Sequence, residues 1–265
     1  MKYIFKNEFD ETLTYELQNN NSEILAVMAH GFKGSKDFLL FKKIESMLKG
    51  LKVDSLRLDF SGCGESEGNY SDSTIHKQAS ELNLAIENSG YKKVILIGHS
   101  LGCAVSMIMP SINPNICAMI LVNPLVFPYV TFSDSLIKYS PYVFLEKINP
   151  KDIKLVDKFE KLKESKDKIL TKIEKEAIGS KMIDEIKTLD LISYAKKIRM
   201  PILIIHGKKD ELIPLSHAEY LNYNIKNSKL IILNYFHTPF FKKELNDISV
   251  HVVAFIKKLK EKFLK

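Results

Sequence analysis

The stretch Val94-Ile-Leu-Ile-Gly-His-Ser-Leu-Gly102 sets one serine between two glycines, directly after four apolar residues. A Gly-x-Ser-x-Gly string arises by chance in roughly one chain in ten of this length, so its surroundings decide its meaning. The apolar run reads as a buried strand, and Ala104–Met109 has helical length and period. On a sharp strand-to-helix turn, a serine stands above the end of a sheet with its hydroxyl open to a reactant. A serine that only caps the following helix accounts for Ser100 but leaves Gly98 and Gly102 unexplained. Both glycines are needed if the turn is so tight that a side chain at either position meets a neighbouring strand or helix.

Similar apolar runs lie on both sides, at Ile24–Met28, Ser55–Asp59, Ala118–Val122, Ile202–Ile205 and Leu230–Leu233. Segments of helical period separate most of them, among them Phe38–Leu48 and Ser73–Asn88. Fully apolar strands alternating with helices imply an α/β fold built on a parallel sheet covered on both faces. Tyr3–Phe5 and Thr12–Leu17 read as added edge strands, and Ser249–Phe263 as a closing amphipathic helix. Residues 125–198 break the rhythm. That interval has no buried strand and is dense in Lys and Glu, with an apolar stripe including Leu155, Phe159, Ile169, Ile178, Ile183 and Ile186. It reads as a helical cap inserted between two halves of one core, residues 1–124 and 199–265, with the stripe packing against that core. Phe127, Tyr129, Phe132 and Tyr139 at its start fit either a substrate pocket or the core.

The 265 residues and their 45% hydrophobic content suffice for one large core. A net charge of +7 suits an anionic surface, yet only Arg57 and Arg199 are arginines and the lysines are interleaved with glutamates. Lysine lacks the planar fork that reads guanine edges, so nucleic-acid binding is not expected. Three cysteines without Cys-x-x-Cys spacing indicate neither a disulfide framework nor a zinc site, and a reducing cytoplasm is the expected location. The charged start of the chain lacks the apolar core of a leader, and no run of apolar residues is long enough to span a membrane.

A serine hydroxyl is a poor nucleophile unless a base can take its proton and an acid can orient that base. Strands followed by turns deliver both later in the chain, in Ile202-Leu-Ile-Ile-His-Gly-Lys-Lys-Asp210 and Lys229-Leu-Ile-Ile-Leu-Asn-Tyr-Phe-His237. Asp210 and His237 each fall just past the carboxyl end of a strand, where open α/β sheets bind ligands. Glu211 is a rival acid, but the turn that begins there favours its neighbour. His76, His217 and His251 fall on predicted helices, His206 reads as structural, and strand alternation points His99 away from Ser100. The reaction also needs backbone N–H groups for the negative oxygen it creates. Leu101, at the start of the helix, supplies one, and Phe32 in Val27-Met-Ala-His-Gly-Phe-Lys-Gly34 supplies the other, with Gly31 allowing close approach.

His30-Gly31-Phe32, Asp59-Phe-Ser-Gly-Cys-Gly-Glu-Ser66, Gly98-His-Ser-Leu-Gly102, His206-Gly-Lys-Lys-Asp210 and His237 together resemble the α/β-hydrolase family over the whole chain. The likeness is to the branch of monoacylglycerol lipases, serine-aminopeptidase-like hydrolases and feruloyl esterases, with His30-Gly31-Phe32-Lys33-Gly34-Ser35 nearest the last. Cys63 departs from the pattern, standing where a larger residue is usual. The resemblance implies an α/β-hydrolase fold with a cap insertion, and two-step acyl transfer by Ser100, His237 and Asp210 with Phe32 and Leu101 as oxyanion donors. It requires no metal or cofactor. The expected substrate is a small-molecule ester of small to medium acyl length. Aminopeptidase, thioesterase or acyltransferase activity with the same three residues is the alternative, and a non-catalytic binding protein on this fold the third reading.

Overall fold

The computed structural model describes residues 1–128, 131 and 179–263. One sheet of eight strands runs through them in the order β1-β2-β4-β3-β5-β6-β7-β8. The strands are β1 (Lys2–Lys6), β2 (Thr12–Gln18), β3 (Ile24–Ala29), β4 (Asp54–Asp59), β5 (Lys93–His99), β6 (Ile116–Val122), β7 (Ile202–Gly207) and β8 (Ser228–Leu233). β1 and β2 form an antiparallel margin, and β4 to β8 with β3 are mutually parallel. Parallel strands need crossovers, and the helices that provide them cover both faces.

On one face pack α2 (Ile75–Ser89), α3 (Leu101–Ile108), α4 (Ser180–Thr188), α5 (Leu191–Lys197) and α6 (Ser216–Asn224). On the other pack α1 (Leu39–Gly50) and α7 (Lys242–Phe263). β3, β5, β6 and β7 carry the centre of the sheet, and Ile, Val, Leu and Met fill both of their faces. α4 and α5 bury Met182, Ile183, Ile186, Leu191 and Ala195 in the core shared with α2 and α3. Glu185 on α4 accepts the N–H groups of Ile75 and His76, closing the free amino end of α2. Tyr129, Phe132, Tyr139 and the apolar stripe from Leu155 to Ile178 lie outside the described residues.

Three local expectations are corrected. β4 is not an apolar strand: Asp54, Ser55, Arg57 and Asp59 are all buried, each taken up by a polar partner. β8 is only half buried, because it ends the sheet and exposes Lys229 and Ile232 to solvent. The last helix begins at Lys242 and not at Ser249. Its start is set by Glu244, whose carboxylate reaches back to the N–H groups of Phe240 and Phe241 at 3.1 and 3.2 Å.

Candidate active site

β5 delivers Ser100 at φ 54° and ψ −118°, a left-handed conformation that costs a non-glycine residue about 1–3 kcal/mol. The surroundings hold it there: the Ser100 N–H donates to Val122 O on β6 at 3.0 Å, and its carbonyl accepts the N–H of Cys103 at 3.0 Å. α3 starts at the next residue, Leu101, where the sequence reading puts the start of the helix. The flanking glycines are steric necessities. A Cβ on Gly102 would stand 2.0 Å from the carbonyl oxygen of Ala29, and one on Gly98 would stand 2.6 Å from that of Gly102.

Three loops from separate strands converge on this turn. His237 Nε2 lies 3.0 Å from Ser100 Oγ, and His237 Nδ1 lies 2.8 and 3.0 Å from the two oxygens of Asp210. An ionised carboxylate only accepts, so it fixes the proton on Nδ1 and leaves the Nε2 lone pair facing the hydroxyl. Asp210 Oδ1 also accepts the N–H groups of Leu212 and Ile213 at 2.9 and 2.8 Å. Burial alone would raise the Asp210 pKa, but the hydrogen bond to His237, its charge and the Ile213 N–H outweigh it, and the net shift is downward. Glu211 takes a different place, accepting the backbone N–H of His237 at 3.2 Å.

Gly31 lies so close to the elbow that a Cβ there would be 3.0 Å from the Ser100 Cβ. A cavity of about 700 Å³ opens over this point, and Phe32, Ser100, Leu101, Ile213 and His237 are among its lining residues. The loop carrying Phe32 is anchored from beneath. Lys36, 1% exposed, donates its N–H to Asp59 Oδ1 at 2.6 Å and its ammonium to Asp59 Oδ2 at 2.8 Å. Arg57 donates to the Lys36 carbonyl at 2.6 Å and pairs with Glu45 at 3.0 Å. Burial disfavours the Lys36 charge, yet Asp59 and Glu65 more than offset it and hold its pKa above the ordinary range. Gly64, at φ 54°, presses on Asp59, since a Cβ there would fall 2.3 Å from the carboxylate. Sequence reasoning missed this ionic anchor. The available signal was an arginine inside a strand otherwise expected to be buried, because such a charge must be paired.

The His99 ring stands 5.2 Å from that of His237 and donates from Nε2 to the His237 carbonyl at 3.1 Å, a contact that strand alternation does not foresee. Burial, then the nearby His237, pushes its pKa down to about 3. It stays neutral and adds no second positive charge beside the imidazole. His206 accepts a buried place behind Asp210, with Nε2 donating to Ile213 O at 3.0 Å, and His217 accepts the Val126 N–H at 3.2 Å. His76 lies apart, paired with Glu185 at 2.7 Å, and His251 is on α7. Cys63 is buried, which pushes its thiol up to about 12 and leaves it protonated.

Four buried histidines, His30, His99, His206 and His217, all have lowered pKa values, with burial the largest cause in each. Their unfolded counterparts bind protons near pH ~6.5 and the native forms do not, so native stability is complete above that pH and falls as the pH drops below it. Each group contributes up to ~1.4 kcal/mol per pH unit in that window, which for His99 and His217 extends down toward about 3. Urea unfolding between pH 7.5 and 5 is expected to show a steep loss. A flat stability profile over that range would contradict the buried neutral assignment.

A family model described as serine aminopeptidase, S33, a hydrolase family, matches residues 21–241. No curated protein sequence matches the chain. Among solved structures, Est1E from Butyrivibrio proteoclasticus with bound ferulic acid superposes with a TM-score of 0.73 at 19% identity, over 97% of this chain and 98% of that one. Alpha/beta hydrolase domain-containing protein 10 from mouse gives 0.73 at 18% identity, over 98% and 99%. The esterase EaEST from Exiguobacterium antarcticum gives 0.71 at 21% identity, over 97% and 100%. These likenesses establish the architecture, and the family match covers both the elbow of Ser100 and the loops of Asp210 and His237. With the mostly parallel eight-stranded sheet, they make the chain an α/β-hydrolase that belongs to the serine aminopeptidase, S33, family.

Proposed function

We propose that the protein is a serine hydrolase of carboxylic esters with small to medium acyl groups, acting through an acyl-enzyme. The supporting observation is the unbroken chain Asp210, His237, Ser100, with both links at hydrogen-bond distance. Ser100 Oγ attacks the acyl carbonyl carbon as its proton passes to His237 Nε2. Asp210 stabilises the resulting imidazolium, and the N–H groups of Phe32 and Leu101 receive the oxyanion, the latter aided by the α3 dipole. His237 then protonates the leaving alcohol. Water, deprotonated by the same imidazole, releases the acid and restores Ser100. This chemistry calls on no metal or cofactor. Residues 125–198 are the cap in this reading, inserted between β6 and β7: Leu125 and Thr131 line the cavity, while α4 and α5 pack into the core with α2 and α3.

The family's name raises aminopeptidase activity as the second reading. A substrate ammonium needs an acidic group free to meet it. Among the described residues that line the cavity the acid is Asp37, held by Lys42 at 2.8 Å, Arg57 at 3.5 Å and Lys36 at 3.6 Å, and the Lys42 hydrogen bond, followed by the charges of all three, lowers its pKa below the ordinary carboxylate value. That arrangement favours esters, as do the solved neighbours named as esterases. A panel of p-nitrophenyl acetate, butyrate and octanoate, methyl ferulate and an aminoacyl anilide separates the readings. Ester turnover well above anilide turnover is expected, and a preference for the anilide overturns the ester assignment.

A further inference from the structure

The backbone carbonyl of His237 receives two buried side-chain donors, Asn123 Nδ2 at 2.8 Å and His99 Nε2 at 3.1 Å. Asn123 follows β6, is 0% exposed and has φ 50°, a left-handed conformation that asparagine tolerates better than most residues. Its Oδ1 accepts the N–H of Gly207 at 2.9 Å and the hydroxyl of Tyr235 at 2.8 Å. The orientation of the amide is unambiguous, because Gly207 N–H can only donate and the His237 carbonyl can only accept. Its backbone N–H donates to Ile205 O on β7 at 2.9 Å, and the preceding carbonyl, Val122 O, holds the Ser100 N–H.

One side chain therefore touches the end of the acid's strand and the base's loop, on a residue whose neighbour holds the nucleophile. An apolar residue of similar size would fill this volume without the cost of burying an amide, so the polar atoms serve geometry more than packing. We infer that Asn123, together with His99, is a positioning residue for acyl transfer: the pair clamps the His237 carbonyl and so holds the imidazole between Ser100 and Asp210. The inference rests on the triad reading above. Neither residue needs to touch substrate.

Asn123→Asp keeps the size, the tolerance for left-handed backbone and the acceptor toward Gly207 and Tyr235, but turns an oxygen toward the His237 carbonyl. It is expected to lower kcat for p-nitrophenyl acetate by on the order of tenfold to a hundredfold, with KM within about twofold. The low-field proton resonance of the His237–Asp210 hydrogen bond should broaden or vanish. Ile86→Val, a core change on α2, serves as the stability control and should leave both readouts in place. His99→Phe removes the other donor and His99→Gln restores one, so kcat should fall in the first and recover in the second. That pair decides the matter if Asn123→Asp does not fold. Wild-type kcat and an intact resonance in Asn123→Asp, or in His99→Phe, overturn the inference, as does a loss confined to KM. Ser100→Ala, assayed alongside, keeps the two levels apart: turnover surviving in that variant sinks the triad itself, whereas its loss beside an unaffected Asn123→Asp sinks only the clamp.

Discussion

Ser100→Ala is expected to reduce kcat for p-nitrophenyl esters by on the order of a millionfold, leaving what binding and oxyanion stabilisation can do alone. The size follows from the proposed mechanism, in which without Oγ no acyl-enzyme forms and neither His237 nor Asp210 has a nucleophile to activate. Stability should change little. Alanine inherits the same left-handed backbone, and the bonds holding it, Ser100 N–H to Val122 O and Cys103 N–H to Ser100 O, are made by main-chain atoms. Labelling by a fluorophosphonate, which reports an activated serine, should disappear together with turnover. Retention of even a tenth of the ester hydrolysis in this variant means that the elbow is not the reacting centre.

Asp210→Asn is expected to cost about ten-thousandfold in kcat, with the fold intact. The substitution is nearly isosteric, but the new amide can turn its donor toward His237 Nδ1. The imidazole then carries its proton on Nε2 and offers Ser100 no lone pair. Nor can a neutral amide stabilise the imidazolium as the ionised carboxylate does. The hydrogen bonds from Leu212 and Ile213 to Oδ1 favour keeping the amide oxygen on the backbone side, which pushes the NH2 toward the ring. Steady-state assays should show the defect in kcat with KM altered little. A loss of less than tenfold would give the orienting role to another acid, with Glu211 the first to test.

Much of this was legible in the chain itself. The strand segments around Ile24, Val94, Ala118 and Ile202 announced themselves because strands buried on both faces must be apolar throughout. Gly98 and Gly102 spoke through sterics, because their requirement is local to the turn. β4 and the start of α7 were misread where polar side chains took structural duties that hydrophobic pattern does not register: Arg57 and Asp59 inside a strand, Glu244 capping a helix.

Sequence order alone determined that a serine elbow is followed, strand by strand, by Asp210 and His237, because each sits one turn beyond its own apolar run. Only the tertiary structure decided that Glu211 is taken up by the backbone of His237, that His99 supports the base loop, and that Lys36, Arg57 and Asn123 tie the loops together. The reason is one of range. Turn sterics and strand periodicity act over a few neighbouring residues, whereas the bond from Asn123 to His237 joins positions 114 apart, whose meeting depends on the order of strands in the sheet.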